Sequence, residues 1–303
     1  MSRVLIASII AVMLGLSATA SALDYKMVPG AGGVPLNTVE AGDKSKPGIL
    51  LIHGFGQSHN SFQAQLESAD LTRDFHLVAF DLRGHGNSGK PWKPEDYKDS
   101  KTWADDVIAV MDATNLKKAV VVGWSFGGFI VANVVEHYGT SRMYGIELVG
   151  SAGGLLEANF AAPPNAEVAK QMADNRARQV SGSIIENMQG ARGSIGFLTA
   201  KPSDQAWQDL SYAGNLLLLP YVRNALVGRS LDNRKALPMF NVPTVIARGS
   251  VDGVITQAQA ETLTKAIKAA KLIVYEGSGH SPFHEVAADF NKNLGVFAKS
   301  VTK

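Results

Sequence analysis

The sequence predicts an α/β protein built on a doubly wound, mostly parallel sheet, and three observations carry that reading. Short β-branched runs alternate with segments of helical spacing through most of the chain, the pattern of successive strand–helix–strand units. The strand candidates are near-continuous apolar runs, as strands covered on both faces require. The composition, 46% hydrophobic and 18% charged over 303 residues, suits a globular chain and excludes a disordered segment or a coiled coil.

The first residues stand apart from the fold. Arg3 precedes an apolar run from Val4 to Leu16, and the small residues Ser17 to Ala22 follow, with an A-x-A-like site at Ala20 and Ala22. This is the build of a cleaved secretory signal. The run is shorter than the roughly 20 residues of a spanning helix. Cleavage after Ala22 is expected, with export to the periplasm or the medium and no stable membrane anchor on the mature chain.

Tyr25 to Glu40, with Gly30-Ala31-Gly32-Gly33 in its middle, reads as a leading antiparallel hairpin. Strands are predicted at Gly48–Ile52, His76–Phe80, Ala119–Val122, Ile146–Val149, Val242–Ala247 and Leu272–Tyr275, and helices at Thr102–Asn115, Phe129–Val135 and Gln257–Ala270. From Leu155 to Pro238 no convincing strand occurs. Helical patterns there cover Ala166–Val180, Ile184–Met188 and Asn215–Leu226, too apolar for a linker. The predicted organisation is a signal at 1–22, a core at 23–154 and 239–303, and a helical insertion at 155–238 between the sixth and seventh strands.

Charge and cysteine content remove several functions. With 29 basic and 27 acidic residues the formal charge is +2, giving no field for a polyanion, and nucleic acid is not an expected partner. Cysteine is absent, which excludes disulfides, thiolate catalysis and Cys-based metal sites. No metal site and no cofactor are indicated.

The chemistry sits at the ends of strands. Gly123-Trp124-Ser125-Phe126-Gly127 lies between a buried strand and an apolar helix. A G-x-S-x-G sequence at such a junction makes a tight turn that exposes the Ser hydroxyl and aims a helix N-terminus at developing negative charge. Ser125 is the candidate nucleophile. It needs a base, and the base an orienting acid. His280, in Gly279-His280-Ser281-Pro282 after the last strand, is the candidate base, and Asp252, in Ser250-Val251-Asp252-Gly253 after the preceding strand, the candidate acid. His284 competes with His280 but falls inside the helix that Pro282 opens. Glu147 competes with Asp252 but lies within a strand. The oxyanion donors are expected to be the backbone N–H groups of Phe126 and of Phe55, the latter in His53-Gly54-Phe55-Gly56. His53 is read as a brace for that loop. Asp81 to Ser88 reads as a hydrogen-bonded turn network beside the active edge. Trp124, Phe55 and Phe126 are the expected pocket residues, with Phe197, Trp207, Tyr212 and Leu216 to Leu219 available from the insertion.

Taken in order, His-Gly-Phe-Gly, Asp-Leu-Arg-Gly-His-Gly-Asn-Ser, Gly-Trp-Ser-Phe-Gly-Gly, Gly-Ser-Val-Asp-Gly and Gly-Ser-Gly-His resemble the α/β-hydrolase fold family over about Tyr25 to Ala298. The resemblance implies an eight-stranded sheet and places the insertion as a cap over the triad. Within the family the chain is most similar to the serine-nucleophile branch of esterases, cofactor-free haloperoxidases (perhydrolases) and lactonases. The dehalogenase branch carries Asp where Ser125 stands.

The expected function is that of an exported carboxylic-ester hydrolase acting on small to medium, uncharged and largely apolar acyl substrates. The basic residues of the insertion are scattered in sequence and mark no carboxylate pocket. The same acyl-enzyme could serve a lactonase, including one for acyl lactones, or a perhydrolase. A ligand receptor on this fold is the reading from a different class, and hydrolysis of a p-nitrophenyl ester, lost in Ser125→Ala, separates it from an enzyme.

Overall fold

The computed structural model describes residues 23–302, and the leader expected at residues 1–22 lies outside them. β1 (Asp24–Pro29) and β2 (Pro35–Gly42) form the expected hairpin. There follow β3 (Gly48–Ile52), α1 (Gln63–Leu66), α2 (Ala69–Asp74), β4 (His76–Phe80), α3 (Ser100–Ala113), β5 (Ala119–Trp124), α4 (Phe126–Tyr138) and β6 (Met143–Val149). Four helices then intervene: α5 (Ala166–Gln179), α6 (Ile184–Ile195), α7 (Gln205–Leu217) and α8 (Pro220–Val227). The chain closes with β7 (Thr244–Gly249), α9 (Gln257–Ala266), β8 (Ala270–Tyr275), α10 (Pro282–Glu285) and α11 (Ala287–Val301). None of the helices among the described residues is long and apolar enough to cross a membrane.

The eight strands make one sheet in the order β1-β2-β4-β3-β5-β6-β7-β8. The pairs β1–β2 and β2–β4 are antiparallel, and every pair from β4 onward is parallel. Strand β5, at the centre, shows how the sheet divides the core. Val121 faces a cluster with Trp103 and Ile130, whereas Val120, Val122 and Trp124 face a second cluster with Phe62, Phe283 and Phe290. Successive side chains point to opposite faces, so both faces of the strand are buried. Because β3 to β8 are parallel, the loops after them gather at one edge of the sheet. That edge carries the candidate site.

Several helices run beyond the predicted bounds, as α6 does to Ile195 and α7 from Gln205, and three further departures each have a local reason. The helix predicted over Asn215–Leu226 is two helices. Leu219 precedes Pro220 and is extended (φ −64°, ψ 153°), so α7 ends at Leu217 and Pro220 begins α8, as the clash of a proline ring with the preceding residue requires. The helix expected to run to Ala270 stops at Ala266, where Ile267 turns extended and Ala270 enters β8. The single helix expected after Pro282 is interrupted at Val286 (φ −133°, ψ 49°), which separates α10 from α11.

Candidate active site

Ser125 follows β5 with φ 52° and ψ −115°, a conformation that costs a non-glycine residue and persists only when its surroundings enforce it. They do. The Ser125 N–H donates to Val149 O at 2.9 Å, continuing the pairing with β6, and its carbonyl accepts from Gly128 N at 3.0 Å and from the Ser151 hydroxyl at 2.7 Å. Gly127 must be glycine, since a Cβ there would lie 2.1 Å from Ile52 O. Strand β3 and helix α4 thus meet directly beneath the turn, and Ser125 is half-buried.

His280 and Asp252 are brought together at the same edge. The Nδ1 of His280 lies 3.1 and 3.2 Å from the two carboxylate oxygens of Asp252, with both side chains buried. A carboxylate only accepts, so Nδ1 carries the proton and Nε2 is left as the basic nitrogen. Asp252 is itself fixed, accepting from Val254 N at 2.7 Å, and Arg248 clamps the loop through Asp252 O at 3.3 Å and Ile255 O at 3.2 Å. The turn after β6 closes on this pair. A Cβ on Gly150 (φ 55°) would sit 2.8 Å from His280 Nδ1 and 3.0 Å from Asp252 Oδ2, so only glycine fits. Among the described residues no hydrogen bond joins Ser125 Oγ to His280. Such contacts are commonly long without substrate and tighten when it binds.

The two competitors lie elsewhere. Glu147 leaves its Oε1 buried without a partner. His284 stacks on Trp207 with centroids 4.3 Å apart and approaches Ser203 Oγ at 3.1 Å, which ties it to the insertion.

Phe55 and Phe126 bracket Ser125. Among the described residues neither backbone N–H is taken up by a protein acceptor. Phe126 is the first residue of α4, where amides lack an intrahelical partner. His53 sets the other donor. Its Nε2 accepts from Leu82 N at 3.0 Å, so Nδ1 is protonated and donates to Gly54 O at 2.8 Å. Holding that carbonyl on one side turns the Phe55 N–H of the same trans peptide to the other. The loop is close to the nucleophile, since a Cβ on Gly54 would lie 3.1 Å from Ser125 Cβ. Burial lowers the His53 pKa to about 4, which keeps the ring neutral and in this tautomer near neutral pH.

The Asp81 to Ser88 segment is a hydrogen-bonded turn. Asp81 accepts from His59 N and Nδ1, Asn37 Nδ2 and Asn87 N at 2.7–2.9 Å. Burial opposes its charge, but those bonds and the neighbouring His59 hold its pKa down at about 2. The His85 ring fills the space beside Phe55 and Phe126.

A cavity of about 360 Å³ opens at Ser125, with walls that include Phe55, Phe126, Phe129, Phe160 and Leu226. Helices α5 and α8 contribute Arg176, Gln179, Arg223 and Val227 to it. The expected pocket is corrected in two places. Trp124 does not line the cavity: strand alternation sends its ring to the opposite face, against Phe283. Trp207 and Tyr212 line a separate cavity of about 410 Å³ with no triad candidate in it. Leu218 is buried in the core, while Phe197, Leu217 and Leu219 are exposed, and none of the four is among the residues that line the cavity at Ser125. Phe160, Arg223 and Arg229 carried no sequence signal, because only the packing of the insertion brings them to Ser125.

A family model described as "alpha/beta hydrolase fold" matches residues 47–287. The chain is 26% identical over 256 residues to the AB hydrolase superfamily protein YisY of Bacillus subtilis, covering 83% of this chain and 91% of that protein. It is 27% identical over 275 residues to the bifunctional esterase/perhydrolase DCH of Acinetobacter calcoaceticus, covering 88% and 97% respectively. Among solved structures it is similar to the esterase RhEst1 from Rhodococcus sp. ECU1013, with TM-score 0.78 and 25% identity over 91% of this chain and 99% of that one.

Proposed function

We propose, from the premise that this chain belongs to the α/β-hydrolase family, that it is an exported carboxylic-ester hydrolase working through Ser125, His280 and Asp252. That it is an ester-hydrolysing serine hydrolase follows from the family and from its esterase relatives. The assignment of the triad rests on one observation above the others: a buried His280–Asp252 pair with Nδ1 at 3.1 Å from the carboxylate, at the sheet edge where Ser125 is held at positive φ.

In this mechanism His280 Nε2 takes the Ser125 proton as Oγ attacks the acyl carbonyl, and Asp252 holds the tautomer and steadies the imidazolium. The Phe55 and Phe126 N–H groups receive the tetrahedral oxyanion. The imidazolium returns its proton to the departing alcohol. A water activated by His280 then splits the acyl-enzyme and releases the acid. A small to medium acyl chain with an apolar body suits the cavity walls. The name of the Acinetobacter relative favours one further outcome, in which hydrogen peroxide replaces that water and the product is a peracid.

The test is a chain-length series of p-nitrophenyl esters, one acyl lactone and one peroxide arm, run on the full chain and on Ser125→Ala. The parent should turn over the esters, and the variant should lose about six orders of magnitude in kcat. Equal rates would sink the triad. Export is checked separately by fractionating expressing cells and sequencing the recovered N-terminus. A chain that begins at Leu23 outside the cytoplasm is the expected result, and an intact chain inside would overturn it.

A further inference from the structure

The cavity at Ser125 holds charge that the ester chemistry does not use. Arg176, Arg223 and Arg229 line it, and among the described residues no acidic side chain does. Arg223 is 3% exposed and Arg229 6%, and their hydrogen-bond partners among the described residues are neutral. Arg223 donates to Gln179 Oε1 at 3.3 Å and to Asn215 O and Oδ1 at 2.7 and 2.6 Å. Arg229 donates through Nη2 to Asn133 Oδ1, while its Nε and Nη1 are buried with no partner. Exposed Asp99 acts on Arg229 only at a distance, with no ion pair or hydrogen bond between them among the described residues, and buried guanidinium groups so weakly compensated are rare, because their lost hydration goes largely unrepaid. Burial lowers both to a pKa of about 10, so both stay charged at neutral pH.

Their placement points to the reacting centre. The Arg223 guanidinium carbon lies 5.3 Å from the ring centroid of Phe55, and that of Arg229 lies 5.5 Å from Phe126 and 5.0 Å from Trp103. Phe55 and Phe126 are the residues whose N–H groups are assigned to the oxyanion, so each positive charge sits one ring away from that pair. The rings offset part of the burial cost but supply no opposite charge.

We propose that Arg223 and Arg229 form an anion subsite in the catalytic cavity and that the ester cleaved there carries a carboxylate, a specificity that rests on the proposed ester hydrolysis at Ser125. A carboxylate matches the planar donor set of a guanidinium, and in the cavity that Arg223 and Arg229 line it would supply the counter-charge their hydrogen-bond partners do not. The apolar walls take the short stem between that group and the scissile bond. The uncharged substrate expected from sequence is revised accordingly. Arginines that are scattered along the chain converge because Arg223 lies on α8, which packs over Phe55 and Phe126, and Arg229 follows shortly after it.

The test compares kcat/KM near neutral pH for two matched pairs: ethyl hydrogen glutarate against ethyl valerate, and 4-acetoxybutanoate against butyl acetate. The same four esters are titrated calorimetrically into Ser125→Ala, which needs no arginine variant to fold. In at least one pair the anionic member should be preferred by about tenfold or more in turnover and in binding, and in Arg229→Met that ratio should collapse toward one or invert. Equal or neutral preference in both pairs overturns the subsite, as does a ratio unchanged in Arg229→Met. If no ester is turned over but Ser125→Ala still binds the anionic member tenfold tighter, the hydrolytic reading falls and the anion subsite stands.

Discussion

The indole Nε1–H of Trp124 donates to the main-chain carbonyl of His280 at 2.9 Å. The residue before the candidate nucleophile therefore holds the residue that carries the candidate base, and the two rings pack with centroids 5.6 Å apart. Trp124→Phe keeps an aromatic ring and removes the donor. A hydrogen bond of this kind contributes about 1 kcal/mol net, and small displacements of a catalytic group are costly in rate. We expect kcat to fall about tenfold with KM nearly unchanged, because the ring faces away from the cavity. Steady-state kinetics on one ester checks this. An unchanged kcat would show that the loop holds His280 without Trp124.

Arg83 and Asp106 form a buried, bidentate pair, with Nε to Oδ2 at 2.6 Å and Nη2 to Oδ1 at 2.7 Å. Arg83 also donates to Asp96 O and Ala31 O, and Asp106 accepts from Ala31 N. The pair thus pins the β1–β2 connection and the approach to α3 onto the Asp81 segment. Asp106→Ala strands a buried guanidinium and should cost about 3–5 kcal/mol. The double variant Arg83→Met/Asp106→Leu should recover much of that loss, since no unpaired charge remains. Chemical denaturation of the parent and both variants measures it. A single-variant loss under about 1 kcal/mol would mean that water relieves Arg83.

The strands and the turns at their ends were legible because each is a local pattern: the apolar run Ile49–Ile52 followed by His53-Gly54, or Val120–Val122 followed by Gly123 and Ser125. The split of the helix after Asn215 was also written locally, in Pro220, but the leucines around it hid the break. Trp124 reads as a pocket residue because its neighbours in sequence are site residues, but strand alternation puts it on the opposite face from Val121, together with Val120 and Val122. Arg223 and Arg229 lay beyond reach for another reason. Nothing adjacent to them marks a binding site, and their meeting with Phe55 and Phe126 depends on how the helical insertion packs on the sheet edge.

Glu147, on β6 in the sheet interior, leaves Oε1 without a partner, and burial pushes its pKa up from 4.5 to about 8. The sign of its effect on stability follows from proton binding in the two states. Below about pH 4.5 both folded and unfolded chains carry the proton, and Glu147 adds no penalty. Between about pH 4.5 and 8 the unfolded chain has released it and the folded chain has not, so the penalty grows as pH rises, and above about pH 8 it is constant. Glu147→Gln keeps the shape without the ionisation. Its stability relative to the parent should therefore increase through that window, by up to about 1.4 kcal/mol per pH unit. Urea denaturation of both proteins at about pH 5, 6.5 and 8 reads this directly. A difference that does not change with pH would mean that the Glu147 carboxylate is solvated or paired in the folded protein.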